Sequence, residues 1–422
     1  MKEEFLHYVW STKLFEKRNL LTTSGIPVEV LFSGTYNRDS GPDFSEARIR
    51  IGQELWVGNV EVHLRSSDFF RHRHQHDKAY GRLILHVVLE ADVPGPEGVP
   101  CLELRHRIPR AVLVRYEMLA ASPALIPCAG LLREAETARL QGMLDRCGTE
   151  RLEQKTAPVF QLLTLNHFHW EEAFYQWLSR GFGARVNAEP FGLLARHLPL
   201  PLLARHKNNL LQLEALLFGT AGMLNDLFGE EYPLLLQKEF YFLQAKYQLQ
   251  PLPAHIWKRF RLRPANFPAV RIAQFANLVH RSAHLFSRVL EINDLHQLRQ
   301  WFRCQASAYW DTHYMFEKTS AAQEKAAGNH LLDLLLINTV VPMLFAYGIQ
   351  QEDQSCKDKA LSWLQQLGPE DNAVTRIWQQ LGFPPRDAAS SQAQLQLYRE
   401  YCRHKRCLEC QVGAGWLQES AR

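Results

Sequence analysis

Two short stretches of this sequence combine residue types that can do chemistry together: Gly41-Pro42-Asp43-Phe44 and, a strand and a turn later, Val60-Glu61-Val62-His63-Leu64. Paired carboxylates suit a divalent cation such as Mg²⁺ or Mn²⁺ that also contacts phosphate oxygens, and a neighbouring imidazole titrates near neutrality, where it can position or deprotonate water. Along a strand, side chains alternate faces, so Glu61 and His63 share one face while Val60, Val62 and Leu64 share the other. A hairpin formed by 47–51 and 55–64 would carry Asp43 to the same end of the sheet as Glu61. The competing reading makes Asp43 a turn cap and leaves Glu61 and His63 on a solvated strand face.

A second constellation follows at once, in Asp68, His72, His74, His76 and Asp77, with His86 on the next apolar run. Imidazoles at this density suit Zn²⁺ or another transition metal, and they can also supply the acid that protonates a leaving alkoxide. His72 and His74 are expected to line the same cleft as Asp43 and Glu61, with Asp68 and Asp77 in support. His76 is expected to be exposed, and His86, among Leu85, Val87 and Val88, to be a core histidine. The helix spacing of a His-Glu-x-x-His metalloprotease is absent from this stretch.

Cys402, Cys407 and Cys410 crowd the C-terminal end, a pattern suited to thiolate binding of Zn²⁺ or an iron–sulfur cluster. His404 or a distant cysteine would be the fourth ligand, with Cys128 the preferred candidate. The alternative is free thiols on a basic helix end. Cys101, Cys147, Cys304 and Cys356 read as small buried apolar residues.

The elements that must hold these groups follow from periodicity. Residues 1–115 read as a small mixed α/β domain: a helix over 3–17, strands at 26–32, 47–51 and 55–64, a polar connection, then strands at 83–90 and 101–106. Asn37-Arg38-Asp39-Ser40-Gly41-Pro42 is a turn signal. Residues 116–422 read as a large helical domain, the clearest helices being 132–147, 170–180, 208–224, 232–249, 270–292, 295–310, 331–347 and 393–404. Asn266-Phe267-Pro268 resembles a helix start with Asn as cap. The fold class expected is α+β.

With 422 residues and 46% hydrophobic content, the chain has material for a sizeable core. Its formal net charge of +4 is spread along the length, unlike the dense clusters of an obligate duplex-DNA binder. No membrane span and no export signal are read from the sequence, so the expectation is a cytoplasmic protein with reduced thiols.

The spacing of Pro42-Asp43 and Glu61-Val62-His63 resembles the restriction-endonuclease-like superfamily, whose pattern is Pro-Asp, a gap, then Asp or Glu, one residue, and Lys. The resemblance implies Asp43 and Glu61 as Mg²⁺ ligands, with Glu4 on the first helix as a further acid, and it places His63 where the superfamily has Lys. Some members carry a cluster held by one remote and three C-terminal cysteines, which Cys128, Cys402, Cys407 and Cys410 resemble in arrangement. Over nearly its whole length the chain also resembles a bacterial family known as domain of unknown function 2851. That resemblance is carried by Phe5-Leu6-His7-Tyr8-Val9-Trp10, Gly41-Pro42-Asp43-Phe44, Trp56 to His63, Ser67-Asp68, Leu85-His86-Val87-Val88, Leu262-Arg263-Pro264, Ile337 to Pro342 and the terminal cysteines. Phe69 stands where that family usually has Trp, and Arg73 where it usually has Gly.

Three functions are expected in competition. The first is a metal-dependent nuclease or phosphodiesterase on nucleic acid, with Arg259, Arg261, Arg263 and Arg271, among Trp257, Phe260 and Phe267, holding phosphates and stacking bases. The second is a non-catalytic nucleic-acid or protein-binding scaffold. The third is a zinc-dependent hydrolase built on His63, His72 and His74.

Overall fold

The computed structural model describes residues 2–37, 39–132, 137–282 and 284–419. Helix α1 (Glu3–Thr12) forms because Phe5, Leu6, Val9 and Trp10 recur at three- and four-residue spacing and bury one face. It stops at Lys13, short of the 3–17 span expected, because the left-handed φ of 54° there turns the Lys13 N–H back onto the carbonyls of Trp10 and Val9.

The sheet comprises β1 (Val28–Phe32), β2 (Thr35–Tyr36), β3 (Phe44–Ile51), β4 (Glu54–Arg65), β5 (Leu83–Glu90) and β6 (Cys101–Glu103). Its order is β1-β3-β4-β5-β6, with β2 beside β3. The first three strands of that order run antiparallel, whereas β4, β5 and β6 are parallel. A parallel step needs a crossover, supplied by α2 (Ser66–Arg71) and the 3₁₀ turns His74–His76 and Lys78–Arg82. Gly58 is required where β5 begins: a Cβ there would lie 2.5 Å from Ile84 Cγ2 and 2.7 Å from the Arg82 carbonyl oxygen. The short β2, beyond the strand expected over 26–32, adds a rung that pairs Tyr36 with Phe44.

The alternation in β3 buries Phe44, Ala47, Ile49 and Ile51. These join Val60, Val62, Leu85, Val87 and the apolar face of α1 in one core. The strands, the helix Arg110–Ala121 and the C-terminal helix Gln411–Glu419 fall in one compact unit, Met1–Asp145 with Gln396–Arg422, where periodicity alone put a boundary near residue 115.

The second unit, Arg146–Leu395, is built of helices around a core that includes Phe174, Leu178, Leu216, Val270 and Leu344. Several expected helices differ in extent. The one expected over 270–292 is two, Pro268–Arg281 and Leu285–Glu291, because Ser282 is extended at φ −156°, ψ 131°. The helix expected over 295–310 ends at Phe302, before a 3₁₀ turn at Ala308–Thr312. Phe267, not Asn266, occupies the cap position before Pro268, and Asn266 Oδ1 instead accepts a hydrogen bond from Arg271. A two-stranded hairpin, His313–Met315 with Lys318–Thr319, interrupts a region where periodicity indicated helices. Residues 133–136, the start of the helix expected over 132–147, and Arg38 of the turn signal lie outside the described residues; from Thr137 the helix runs to Leu165. Asn329–Gln350 has the length and mean hydropathy, 1.8, of a membrane span, but 67% of that stretch is buried in the protein, as befits a core helix.

Candidate functional site

The β3–β4 register sets Phe44 opposite Val60, which brings Asp43 level with Glu61. The backbone N–H of Asp43 donates to Glu61 Oε2 at 3.1 Å, and the N–H of Val62 donates to Asp43 Oδ2 at 2.9 Å, so each acid is held by the other's strand. Asp43 is therefore more than a turn cap. Glu61 and His63 do share a face, but it is not solvated: they are 4% and 2% exposed, because α2 and its following turns cover them. Phe69 of α2 forms that cover, its ring centroid 5.3 Å from His86 and 5.4 Å from His74. Asp43 keeps 22% of its side chain exposed and His74 18%, and His72 is exposed, so the cluster opens to solvent at these three residues.

Two imidazoles border the buried acid, and two more, those of His72 and His86, flank His63. His63 Nε2 is 3.5 Å from Glu61 Oε1, and His74 Nε2 is 3.4 Å from the same oxygen. The other nitrogen of His63, Nδ1, meets His86 Nε2 at 3.0 Å, which fixes the ring. His86 is fully buried, as expected of a core histidine, yet its partner is a site residue. Among the described residues, His63, His72 and His74 offer ligand atoms that all lie within 4.8 Å of one another. The rings of His72, which is exposed, and His74 both lie beside His63, with centroids at 5.2 and 5.4 Å, and Arg73 between them adopts a left-handed φ of 62°, the region glycine occupies without cost. His76 is exposed.

Asp68 and Asp77 position this cover. Asp68 Oδ2 accepts from the Arg65 N–H at 3.1 Å and caps α2, while Asp77 Oδ1 accepts from the Ala79 N–H at 2.9 Å and caps the next turn. Glu4, the acid named from sequence, lines a separate groove with Tyr8 and Tyr116. Its neighbour Glu3 is the helix acid whose charge couples to Asp43, His72 and Asp68, since adjacent helix positions point about 100° apart. One helical turn on, His7 Nε2 lies 3.3 Å from Asp43 Oδ2. Glu3 and His7 were not read from the sequence, although their i, i+4 spacing beside the apolar stripe is a signal for them. Tyr80, which stacks on His74 at 4.2 Å, had no signal.

The charges follow from this crowding. Burial pushes Glu61 up to about 8, and the charge of Asp43 adds to the shift. Burial also drives His63 down to about 2 and His86 down to about 4, each helped by the neighbouring imidazoles. His74 is lowered by burial and by His72. Burial opposes the charge on His7, but hydrogen bonding and charge from Asp43, with Glu3 behind, keep its pKa above the usual value. The tyrosine hydroxyl of Tyr80 is raised by burial and by Glu61 and Asp43. Neutral imidazoles beside two carboxyl groups form a mixed nitrogen and oxygen donor set, and such a set fits a divalent transition metal.

The remaining candidates lie elsewhere. Cys402 and Cys410 are buried and Cys407 and Cys128 half-buried, all within the first unit, and burial with the adjacent Cys410 pushes the Cys407 thiol up to about 11. Arg261, Arg263 and Arg271 belong to the second unit. Arg271 is committed to Gln274 Oε1 at 2.8 Å and to Asn266, and burial lowers it to about 10, so it is not poised for phosphate. Arg261 is exposed and lies over the Phe260 ring.

A family model described as "Protein of unknown function (DUF2851)" matches residues 3–373. No curated protein and no solved structure matches the chain.

Proposed function

From the premise that this chain belongs to the family "Protein of unknown function (DUF2851)", we propose that its sheet-bearing unit is a divalent-cation-dependent phosphodiesterase acting on nucleic acid. The observation that carries this reading is the meeting of Asp43 and Glu61 across β3 and β4, with His63 on the same face of β4 and four further imidazoles, those of His7, His72, His74 and His86, around them. The order of helix, antiparallel strands, helical crossover and parallel strand supports the resemblance to the restriction-endonuclease-like superfamily. Asp43 and Glu61 would hold the cation, joined by His63 or His74. A cation there supplies positive charge to the phosphate oxygens and lowers the pKa of attacking water. His63, its ring fixed by His86, orients that water, and His7 holds Asp43 in place. The donor set favours Mn²⁺ or Zn²⁺ over Mg²⁺, which prefers all-oxygen ligands.

The experiment is incubation of purified protein with Mn²⁺, Mg²⁺ or Zn²⁺ and with single-stranded, duplex and branched DNA and RNA. Metal-dependent cleavage lost in both Asp43→Ala and Glu61→Ala is expected, and cleavage retained in both overturns the reading. Binding without cleavage under every metal favours a scaffold.

A second reading rests on the convergence of His63, His72 and His74 alone: a zinc hydrolase in which the acids are auxiliary. Zinc that stays bound in Asp43→Ala but is lost in His72→Ala would favour it. The four cysteines Cys128, Cys402, Cys407 and Cys410, which share one unit, are proposed as a structural zinc or iron–sulfur centre, tested by iron and zinc content after each is changed to Ser.

A further inference from the structure

A groove of 620 Å³ runs along the exposed side of α1, within the first unit, and the proposed chemistry draws on it at His7 alone. Lys2, His404, Lys405 and Arg406 line it together with the aromatic rings of Tyr36 and Tyr116. Lys2, His404 and Lys405 are exposed. Of the two acids at its rim, Glu4 and Glu409, the second is neutralised by a bidentate pairing with Arg406 at 2.6 and 2.8 Å. The groove is therefore basic on balance. Lys405 is held across it by its Nζ donating to the Ala120 carbonyl oxygen at 2.7 Å.

The groove and the acid cluster share one residue. His7 lines the groove, with Nδ1 3.3 Å from the Tyr36 hydroxyl, while its Nε2 sits 3.3 Å from Asp43 Oδ2. Tyr36, 44% exposed, leans on Phe44 at the start of β3, immediately after Asp43. A chain lying in the groove thus reaches Asp43 within the length of one imidazole.

We propose that this groove binds a single strand of nucleic acid, with phosphates along Lys2, His404 and Lys405 and a base against Tyr36, and that it leads the strand to Asp43 and Glu61. The assignment rests on the phosphodiesterase reading for its direction. Basic side chains combined with aromatic faces are the elements by which proteins hold single strands without reading sequence. A duplex would present its bases stacked inside, where Tyr36 cannot reach them. Phosphate contacts predict an affinity that falls as salt rises.

The test is fluorescence anisotropy of a fluorescein-labelled oligothymidylate with the full chain in EDTA, so that no cleavage is required. The double variant Lys2→Glu/His404→Glu changes two exposed side chains and is expected to weaken binding by roughly tenfold or more and to flatten its salt dependence. Tyr36→Ala is expected to weaken it by about tenfold with the salt dependence kept, as loss of stacking requires. Circular dichroism and melting temperature confirm that each variant folds. Wild-type affinity in both variants overturns the groove even if the protein cleaves DNA. Loss of binding in both, with no cleavage by the wild type under any metal, sustains the groove and overturns the phosphodiesterase reading. Tighter binding of the same sequence as duplex, equally weakened by the double variant, overturns the single-strand assignment.

Discussion

Glu61 in the sheet unit and Glu214 in the helical unit are both buried carboxyl groups, held at about 8 and about 7, and burial is the leading cause in each. Their neighbours differ. Glu214 Oε2 accepts a hydrogen bond from the Tyr232 hydroxyl at 2.9 Å, Ser307 adjoins the same hydroxyl at 3.2 Å, and these hydroxyls pull its pKa back down. Tyr232 is in turn stacked on Tyr309, and Tyr309 on His313. Although Glu214 Oε1 lacks a hydrogen-bond partner among the described residues, its surroundings are hydroxyls and aromatic rings inside a packed core. Glu61 instead meets a second carboxylate, which raises its pKa further, and two imidazoles within 3.5 Å. Burial alone raises a carboxyl group anywhere. Crowding of mutually repelling, ligand-type groups at an opening to solvent is what distinguishes a site from a structural acid, because such an arrangement costs stability unless a cation compensates it.

The sharpest way to break this contrast is to neutralise each acid in turn. Glu61→Gln is expected to lower kcat/KM for metal-dependent oligonucleotide cleavage by roughly a thousandfold, several kcal/mol of lost stabilisation. Glu214→Gln should leave it at the wild-type rate, and equal losses would erase the distinction.

Stability against pH gives the next largest effect. The folded pKa of Glu214, about 7, lies above the ordinary 4.5, so the fold binds this proton more tightly than the unfolded chain does. The resulting stabilisation is fully present below pH 4.5 and is lost as pH rises through 7, amounting to about 3 kcal/mol at most. Urea unfolding of wild type and Glu214→Gln from pH 4 to 9 reads it. If the two lose stability in parallel, hydroxyl pairing has already cancelled the burial.

Two smaller effects probe the imidazoles. His86→Ala frees the ring of His63 and is expected to weaken Mn²⁺ or Zn²⁺ binding by about tenfold in calorimetry. An unchanged affinity would return His86 to a purely core role. Arg73→Gly relieves the left-handed backbone between His72 and His74 and should raise stability by about 0.5–1 kcal/mol in thermal melts, with metal affinity preserved. A destabilised variant would show that the Arg73 side chain, not the backbone, shapes the cleft mouth.

Local periodicity was enough to place α1, the apolar stripes of β3 to β5 and the helical character of the second unit, because each depends on residues two to four positions apart. It was also enough to put Glu61 and His63 on one face, and a plain hairpin assumption brought Asp43 beside them. What the sequence could not show is how that face is covered. Whether Glu61 is solvated or buried depends on α2 folding back over β4, and α2 does so because the parallel pairing of β4 with β5 demands a crossover on that side. The choice of Glu3 over Glu4, the entry of His7 and Tyr80, and the return of residues 396–422 to the sheet unit depend likewise on contacts between distant parts of the chain. Strand alternation fixes which residues share a face, but only long-range packing removes water from that face, and it is the removal of water that moves Glu61 to about 8 and His63 to about 2.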